Sequence, residues 1–157
     1  MTNFRPTVLY TAACCIGSRE GTDRHQVILD IYNMYKPKNR PYKITAKDPW
    51  CAAFVSACFI ASGCAELIPI ECSCYHIKEE AKKRGILRDP ARYVPSPGDL
   101  ILYKWEGKSV VSHIGIVEDV TGSNLTVIEG NYQDTVGRRH IKLSYKYIDS
   151  YIEVPYG

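Results

Sequence analysis

The chain has no long apolar run. Its longest, Ala52–Ala61, is interrupted by Ser56 and falls far short of the roughly 20 residues that a membrane-spanning helix needs. Residues 1–17 also lack the basic start, apolar stretch and small-residue cleavage site of a signal peptide. We therefore expect synthesis in the cytoplasm without a signal peptide and with no membrane anchor, so that extracellular action requires another exit route. There is no block of like charges, and the net charge of +3 is small and evenly spread. That balance argues against nucleic acid as a partner, since nucleic-acid binding rests on a concentrated basic patch. Internal repeats, low-complexity tracts and Gly/Ser linkers are missing as well.

What is present fits one domain over residues 1–157, with 45% hydrophobic and 24% charged residues. A monomer is expected. The seven cysteines, Cys14, Cys15, Cys51, Cys58, Cys64, Cys72 and Cys74, are odd in number, so complete internal pairing is impossible. Without a secretion signal they read as reduced thiols.

The pattern divides into a helical part over 1–90 and a strand-rich part over 95–157, which predicts an α+β fold. Helices are expected over about 6–16, from Thr22 or Asp23 to about 35, from near Trp50 to about 62, and from Ser73 or Cys74 to Gly85. About five strands follow, at Leu100–Trp105, His113–Val120, Leu125–Asn131, Arg139–Leu143 and Tyr151–Val154. Thr121-Gly122-Ser123-Asn124 marks a hairpin between the second and third.

Cys51 falls at the start of the third helix. A helix N-terminus carries partial positive charge and free N–H groups, which stabilise a thiolate and can hold an oxyanion. Cys58 and Cys64 lie later in the helix or beyond it and gain neither effect. A thiolate nucleophile needs a base, and of His25, His76, His113 and His140 it is His113 that opens a strand and alternates with apolar residues. Its side of the sheet is taken as one that can pack on the third helix. If the hairpin loop is Thr121–Ser123, Val120 pairs with Asn124, Val117 with Val127, Gly115 with Glu129 and His113 with Asn131, all on one face. Gly115 then leaves room for Glu129 to lean toward the imidazole, and either Glu129 or Asn131 could orient the ring. A two-residue loop puts Glu129 on the wrong face, so the arrangement demands an odd loop or a bulge. Singly, a buried cysteine is core filler and a strand histidine a satisfied polar group. Together the residues supply nucleophile, base and orienter.

Trp50-Cys51-Ala52-Ala53-Phe54-Val55-Ser56 resembles the nucleophile helix of CHAP domains, the cysteine- and histidine-dependent amidohydrolase/peptidase family. Pro97-Gly98-Asp99-Leu100-Ile101-Leu102-Tyr103 is similar to that family's first central strand, Ser112-His113-Ile114-Gly115-Ile116-Val117 to its histidine strand, and Ile128-Glu129-Gly130-Asn131 to the strand with the acidic and amide partners. The matching motifs run in the same order over roughly 45–155, and Glu20-Gly21 before a helix also resembles phage and prophage lysins of this type. The resemblance implies a papain-like, NlpC-type α+β fold with helices packed on a central antiparallel sheet. It implies bacterial peptidoglycan as substrate and action on the cell wall through an acyl-enzyme on Cys51. His113 would be base and then acid, with Glu129 as its favoured partner and Asn131 close by. The bond cut would be the N-acetylmuramoyl-L-alanine amide or one within the peptide. Some lysin CHAP domains bind calcium through an Asp-rich loop before the cysteine. Here Tyr42-Lys43-Ile44-Thr45-Ala46-Lys47-Asp48 has one acid and two lysines, so neither calcium nor another cofactor is expected. The chain has no room for a separate wall-binding domain, which predicts a catalytic fragment or a stand-alone hydrolase.

Trp50, Tyr103, Trp105 and Tyr132 flank the motifs and are candidates to stack on sugar or peptide, although they would equally serve as core. Glu20, Arg24 and His25 fit either a cleft wall or a solvated helix start. Cys14-Cys15 reads as core, and Arg138, Arg139 and Lys142 as a solvated strand edge. Cys72-Ser73-Cys74-Tyr75-His76 reads as a loop and helix start beside the cleft. Its three possible zinc ligands are too tightly spaced for an ordinary structural site, and no metal is expected. A toxin with the same chemistry, a silent wall-binding module and a small zinc protein are the competing functions.

Overall fold

A computed structural model describes residues 2–157. Among these residues four α-helices precede a six-stranded antiparallel sheet. The helices are α1 (Arg5–Cys14), α2 (Asp23–Met34), α3 (Cys51–Ala61) and α4 (Cys74–Lys83). The strands are β1 (Leu87–Arg88), β2 (Leu100–Tyr103), β3 (His113–Thr121), β4 (Asn124–Tyr132), β5 (Thr135–Lys142) and β6 (Ile148–Ile152). Their order across the sheet is β1-β6-β2-β3-β4-β5.

The helix starts follow local chemistry. Thr22 caps α2 by accepting from the His25 N–H, and Ser73 caps α4 by accepting from the His76 N–H. In α3 every residue from Cys51 to Phe59 is buried, as expected of a helix that is apolar all round. It lies between α1 and α2 and the sheet, where it meets β3 and β4.

The sheet has two dressed faces. Leu100, Leu102, Ile114, Ile116, Ile128 and Ile152 point into the helix-side core. Ile101, Tyr103, Val117, Val127 and Tyr151 form a second cluster. In the ladder His113 pairs with Tyr103 and Gly115 with Ile101. By strand alternation, His113 therefore stands on the second face, opposite the one that Ile114 and Ile116 turn to α3. The expectation that His113 shares the face packed on the third helix is thus corrected. The imidazole meets Cys51 from the end of its strand.

The β3–β4 hairpin realises the required register by the other of its two routes. The loop has two residues, since Thr121 pairs with Asn124, and Val120 pairs with Leu125 rather than with Asn124. A bulge between Val117 and Asp119 then restores the expected pairing of Val117 with Val127. The His113–Asn131 pair does not form part of this ladder, which runs no further than Ile116–Ile128. Asn131 adopts a left-handed backbone with φ of 56°, and β4 shifts register against β5 between Glu129 and Tyr132. Strand boundaries also differ from the expected ones: β5 starts four residues earlier at Thr135, β6 ends at Ile152, and short β1 joins as the edge strand.

Candidate active site

Two glycines allow the elements to converge. A Cβ on Gly115 would stand 2.4 Å from Cγ1 of Val127 and 2.7 Å from Cγ of Glu129. The Glu129 side chain thus occupies the space above Gly115, as the sequence predicts. A Cβ on Gly130 would stand 2.5 Å from Cβ of Phe54, so only glycine lets α3 lie this close to β4.

Cys51 is the first residue of α3 and is 5% exposed. Its position is secured from behind. Trp50 is fully buried, its Nε1 donates to Oε1 of Glu20 at 2.9 Å, and the ring of His25 packs on it at 4.6 Å. Arg24 donates to the carbonyls of Cys14 and Ile16 at the end of α1. Glu20 and His25 therefore hold the residue that precedes α3, and Arg24 ties α2 to the end of α1.

His113 donates from Nε2 to Oε1 of Glu129 at 2.8 Å. With that nitrogen engaged, Nδ1 is left for the Cys51 sulfur. The Cys74 thiol lies 3.6 Å from Cys51 Sγ. The Cys74 hydrogen bond, with further help from His113 and the Ala52 N–H, overcomes burial and holds the Cys51 thiol well below the usual thiol range. Burial pushes the His113 imidazole down, but hydrogen bonds and charge from Cys51 and Glu129 outweigh it and raise the group to about 9. A thiolate and an imidazolium are thus the favoured pair. Such a pair can attack an electrophilic carbon and pass a proton to a leaving group.

Glu129 is fully buried, and Arg139 donates from Nε to both its oxygens at 2.9 and 3.1 Å. The guanidinium is packed over the rings of Tyr132, Trp105 and Tyr103, at 4.6, 5.2 and 5.5 Å. This corrects the reading of Arg139 as a solvated edge residue. Sequence reasoning missed it, although a buried carboxylate demands a cation and Arg139 lies opposite Val127, diagonal to Glu129. Arg138 pairs outward with Glu118, and Lys142 is exposed.

The four aromatic candidates do not line the cleft at Cys51. Trp50 and Tyr103 are fully enclosed and cannot touch substrate from there. Trp105 stacks on Tyr103 at 5.0 Å, and it and Tyr132 cover Arg139. Asn131 is partly exposed, and its backbone turns away from the expected pairing with His113. The cleft itself has a volume of about 380 Å3, and its walls include Tyr42, Asp48, Cys51, Cys74, Tyr75 and Ser112. Asp48 accepts from the N–H and hydroxyl of Thr45, closing the loop before α3. Cys72 and Cys74 do border this cleft. Among the described residues no group of three His, Cys, Asp or Glu side chains is arranged to hold a metal. Cys14 is exposed and Cys15 half-buried, which corrects their reading as core.

No curated protein sequence matches the chain. Among solved structures, Ly7917 is similar at 16% identity and a TM-score of 0.57, covering 96% of this chain and 62% of that one. Ly7917 with the hydrolyzing product of MDP gives 18% identity and a TM-score of 0.59 over the same shares. NlpC1 from Trichomonas vaginalis gives 12% and 0.52, covering 98% of this chain and 45% of that one. The chain therefore spans about three fifths of Ly7917 and under half of NlpC1. These likenesses establish the papain-like, NlpC-type α+β fold. The family described as CHAP domain matches residues 42–131, a span that begins in the loop before Cys51 and includes His113, Glu129 and Asn131. With more than half its length matched, the chain belongs to the CHAP domain family.

Proposed function

We propose that residues 1–157 act as a peptidoglycan hydrolase that cuts an amide bond in cell-wall peptide, with Cys51 as nucleophile and His113 as its proton carrier. The observation that carries this reading is the placement of Cys51 on a helix tip beside the His113 imidazole, whose far nitrogen is held 2.8 Å from Glu129. Membership of the CHAP domain family supplies the substrate class. The similar protein Ly7917, whose structure is known with the hydrolyzing product of MDP, is consistent with it.

In the first half-reaction the Cys51 thiolate adds to the amide carbonyl carbon. The developing oxyanion is met by free N–H groups at the start of α3. The His113 imidazolium gives its proton to the departing nitrogen, the C–N bond breaks, and a thioester to Cys51 remains. Neutral His113 then takes a proton from water, the hydroxide adds to the thioester, and the acid leaves as the thiolate re-forms. Glu129 holds the ring by the Nε2–H bond, and Arg139 holds Glu129. Glu129, rather than Asn131, takes the orienting role because it alone of the two is bonded to the ring.

The same steps serve the N-acetylmuramoyl-L-alanine amide and bonds within the stem or cross-bridge. Digestion of purified peptidoglycan followed by mass spectrometry tests the activity and identifies the bond. Wild-type protein should release new amine and carboxyl ends, and Cys51→Ala should release none while keeping its circular dichroism spectrum. Retained digestion by Cys51→Ala overturns the assignment.

A further inference from the structure

The helix tips of α3 and α4 meet at the cleft, each with a cysteine as its first residue. Cys51 Sγ and Cys74 Sγ are 3.6 Å apart. Both thiols line the same cleft of about 380 Å3, and all seven cysteines are free. The acyl-transfer mechanism needs one sulfur here and gives no covalent task to the second.

We propose that Cys51 and Cys74 are a modification site, closing to a reversible disulfide when a hydroperoxide enters the cleft. In the first step the Cys51 thiolate attacks the peroxide O–O bond. An S–O bond forms, the O–O bond breaks, and hydroxide (alkoxide, from an organic hydroperoxide) leaves, taking a proton from the His113 imidazolium. Sulfur is oxidised and the peroxide reduced, leaving sulfenic acid on Cys51. In the second step Cys74 sulfur attacks Cys51 sulfur. The S–S bond forms, the S–O bond breaks, and water leaves with the Cys74 thiol proton. The two sulfurs must close from 3.6 Å to about 2.05 Å.

The order of events follows from charge. Beside the Cys51 thiolate the Cys74 thiol is pushed well above its ordinary range, first by its hydrogen bond to Cys51 and then by burial. Conversion of Cys51 to neutral sulfenic acid removes the neighbouring negative charge, so Cys74 becomes able to ionise only after its target has formed. Cys72 is separated from this exchange, as its thiol faces Tyr32 and Glu71. The disulfide would shield Cys51 from irreversible sulfinic acid formation and suspend hydrolysis. That loss of hydrolysis rests on Cys51 being the nucleophile, whereas formation of the disulfide does not.

The test oxidises the reduced full chain with a few equivalents of hydrogen peroxide and reads intact mass, a peptide map and recovery with dithiothreitol. Wild-type protein should lose about 2 Da, show a Cys51–Cys74 linked peptide and regain most of its own starting activity on reduction. Cys74→Ser should instead gain about 32 Da on Cys51, with roughly tenfold lower recovery relative to its own untreated sample. Cys72→Ser should behave as wild type. Sulfinic acid on Cys51 of the wild type, linkage of Cys51 to another cysteine, or equal recovery by Cys74→Ser would overturn the proposal. The wild-type peptide map decides the matter even if Cys74→Ser does not fold. A mapped Cys51–Cys74 bond in a protein without wall-hydrolysing activity would uphold the disulfide and refute only the nucleophile assignment.

Discussion

Arg139 on edge strand β5 and Glu129 on β4 form a doubly bonded ion pair, with Nε 2.9 and 3.1 Å from the two carboxylate oxygens. The same carboxylate receives the His113 N–H, so the edge of the sheet is wired to the imidazole through one buried group. Three aromatic rings pack against the guanidinium, whose side chain stays 20% exposed.

Replacement of Arg139 by Met should therefore leave a buried carboxylate with one partner fewer. A stability loss of about 1–3 kcal/mol is expected in chemical denaturation, with kcat reduced and KM little changed, because Arg139 lies away from the cleft walls. Arg139→Lys should be intermediate, since it keeps the charge but not the planar fork. Stability and turnover equal to wild type in Arg139→Met would show that His113 alone secures Glu129.

The pH dependence follows from the pair of Cys51 and His113. Activity should rise as Cys51 ionises, well below the usual thiol range, and fall as His113 loses its proton near 9; both limbs belong to the coupled pair. Glu129→Gln removes a group that raises the imidazole. It should move the alkaline limb of kcat/KM to lower pH and slow turnover less than loss of His113 does. An unmoved alkaline limb would exclude Glu129 as the orienting group. The folded imidazole also binds its proton more tightly than the unfolded one. Its contribution to stability is thus full below about pH 6.5 and is lost as the pH rises through about 9.

The two glycines can be separated experimentally. Gly115→Ala puts a methyl against Val127 and Glu129 and should displace the carboxylate from His113. Gly130→Ala puts one against Phe54 and should push α3 off β4. Each should cost about 1–3 kcal/mol in a thermal melt and lower turnover more than stability. A variant melting and turning over as wild type would mean that its neighbours yield freely.

Thiol reactivity supplies a check that needs no substrate. Iodoacetamide at neutral pH should label Cys51 first, through the cleft. Cys15 should follow, because a hydrogen bond from Cys58 brings it down to about 7 against the effect of burial. Cys58 and Cys64 are pushed up by burial, Cys64 to about 11, and should lag far behind. Slow, uniform labelling would count against an activated Cys51.

Much of this site was legible because it depends on local rules. Thr22 and Ser73 announce helix starts by capping, Cys51 follows Asp48-Pro49 at the head of an apolar run, and strand parity places Gly115 opposite the Glu129 side chain. Parity also required an odd loop or a bulge. The choice between them was not legible, because a bulge at Glu118 and a three-residue loop leave the same pattern of alternation in β3. Trp50 and Tyr103 misled for a related reason. An aromatic beside a catalytic motif has the same one-dimensional signature whether it faces substrate or, as here, solid core.

By itself the order of apolar, capping and turn residues determined the α+β layout, the placement of Cys51 on a helix tip and the strand parity that sets the Glu129 side chain over Gly115. Each of these follows from interactions within a helix or between adjacent strands. Only the tertiary structure decided which face of the sheet carries His113, that Arg139 turns inward to Glu129, and that Cys74 arrives 3.6 Å from Cys51. Those contacts join residues from different elements, and their distances are set by how α3, α4 and the sheet pack together, a packing that no local pattern encodes.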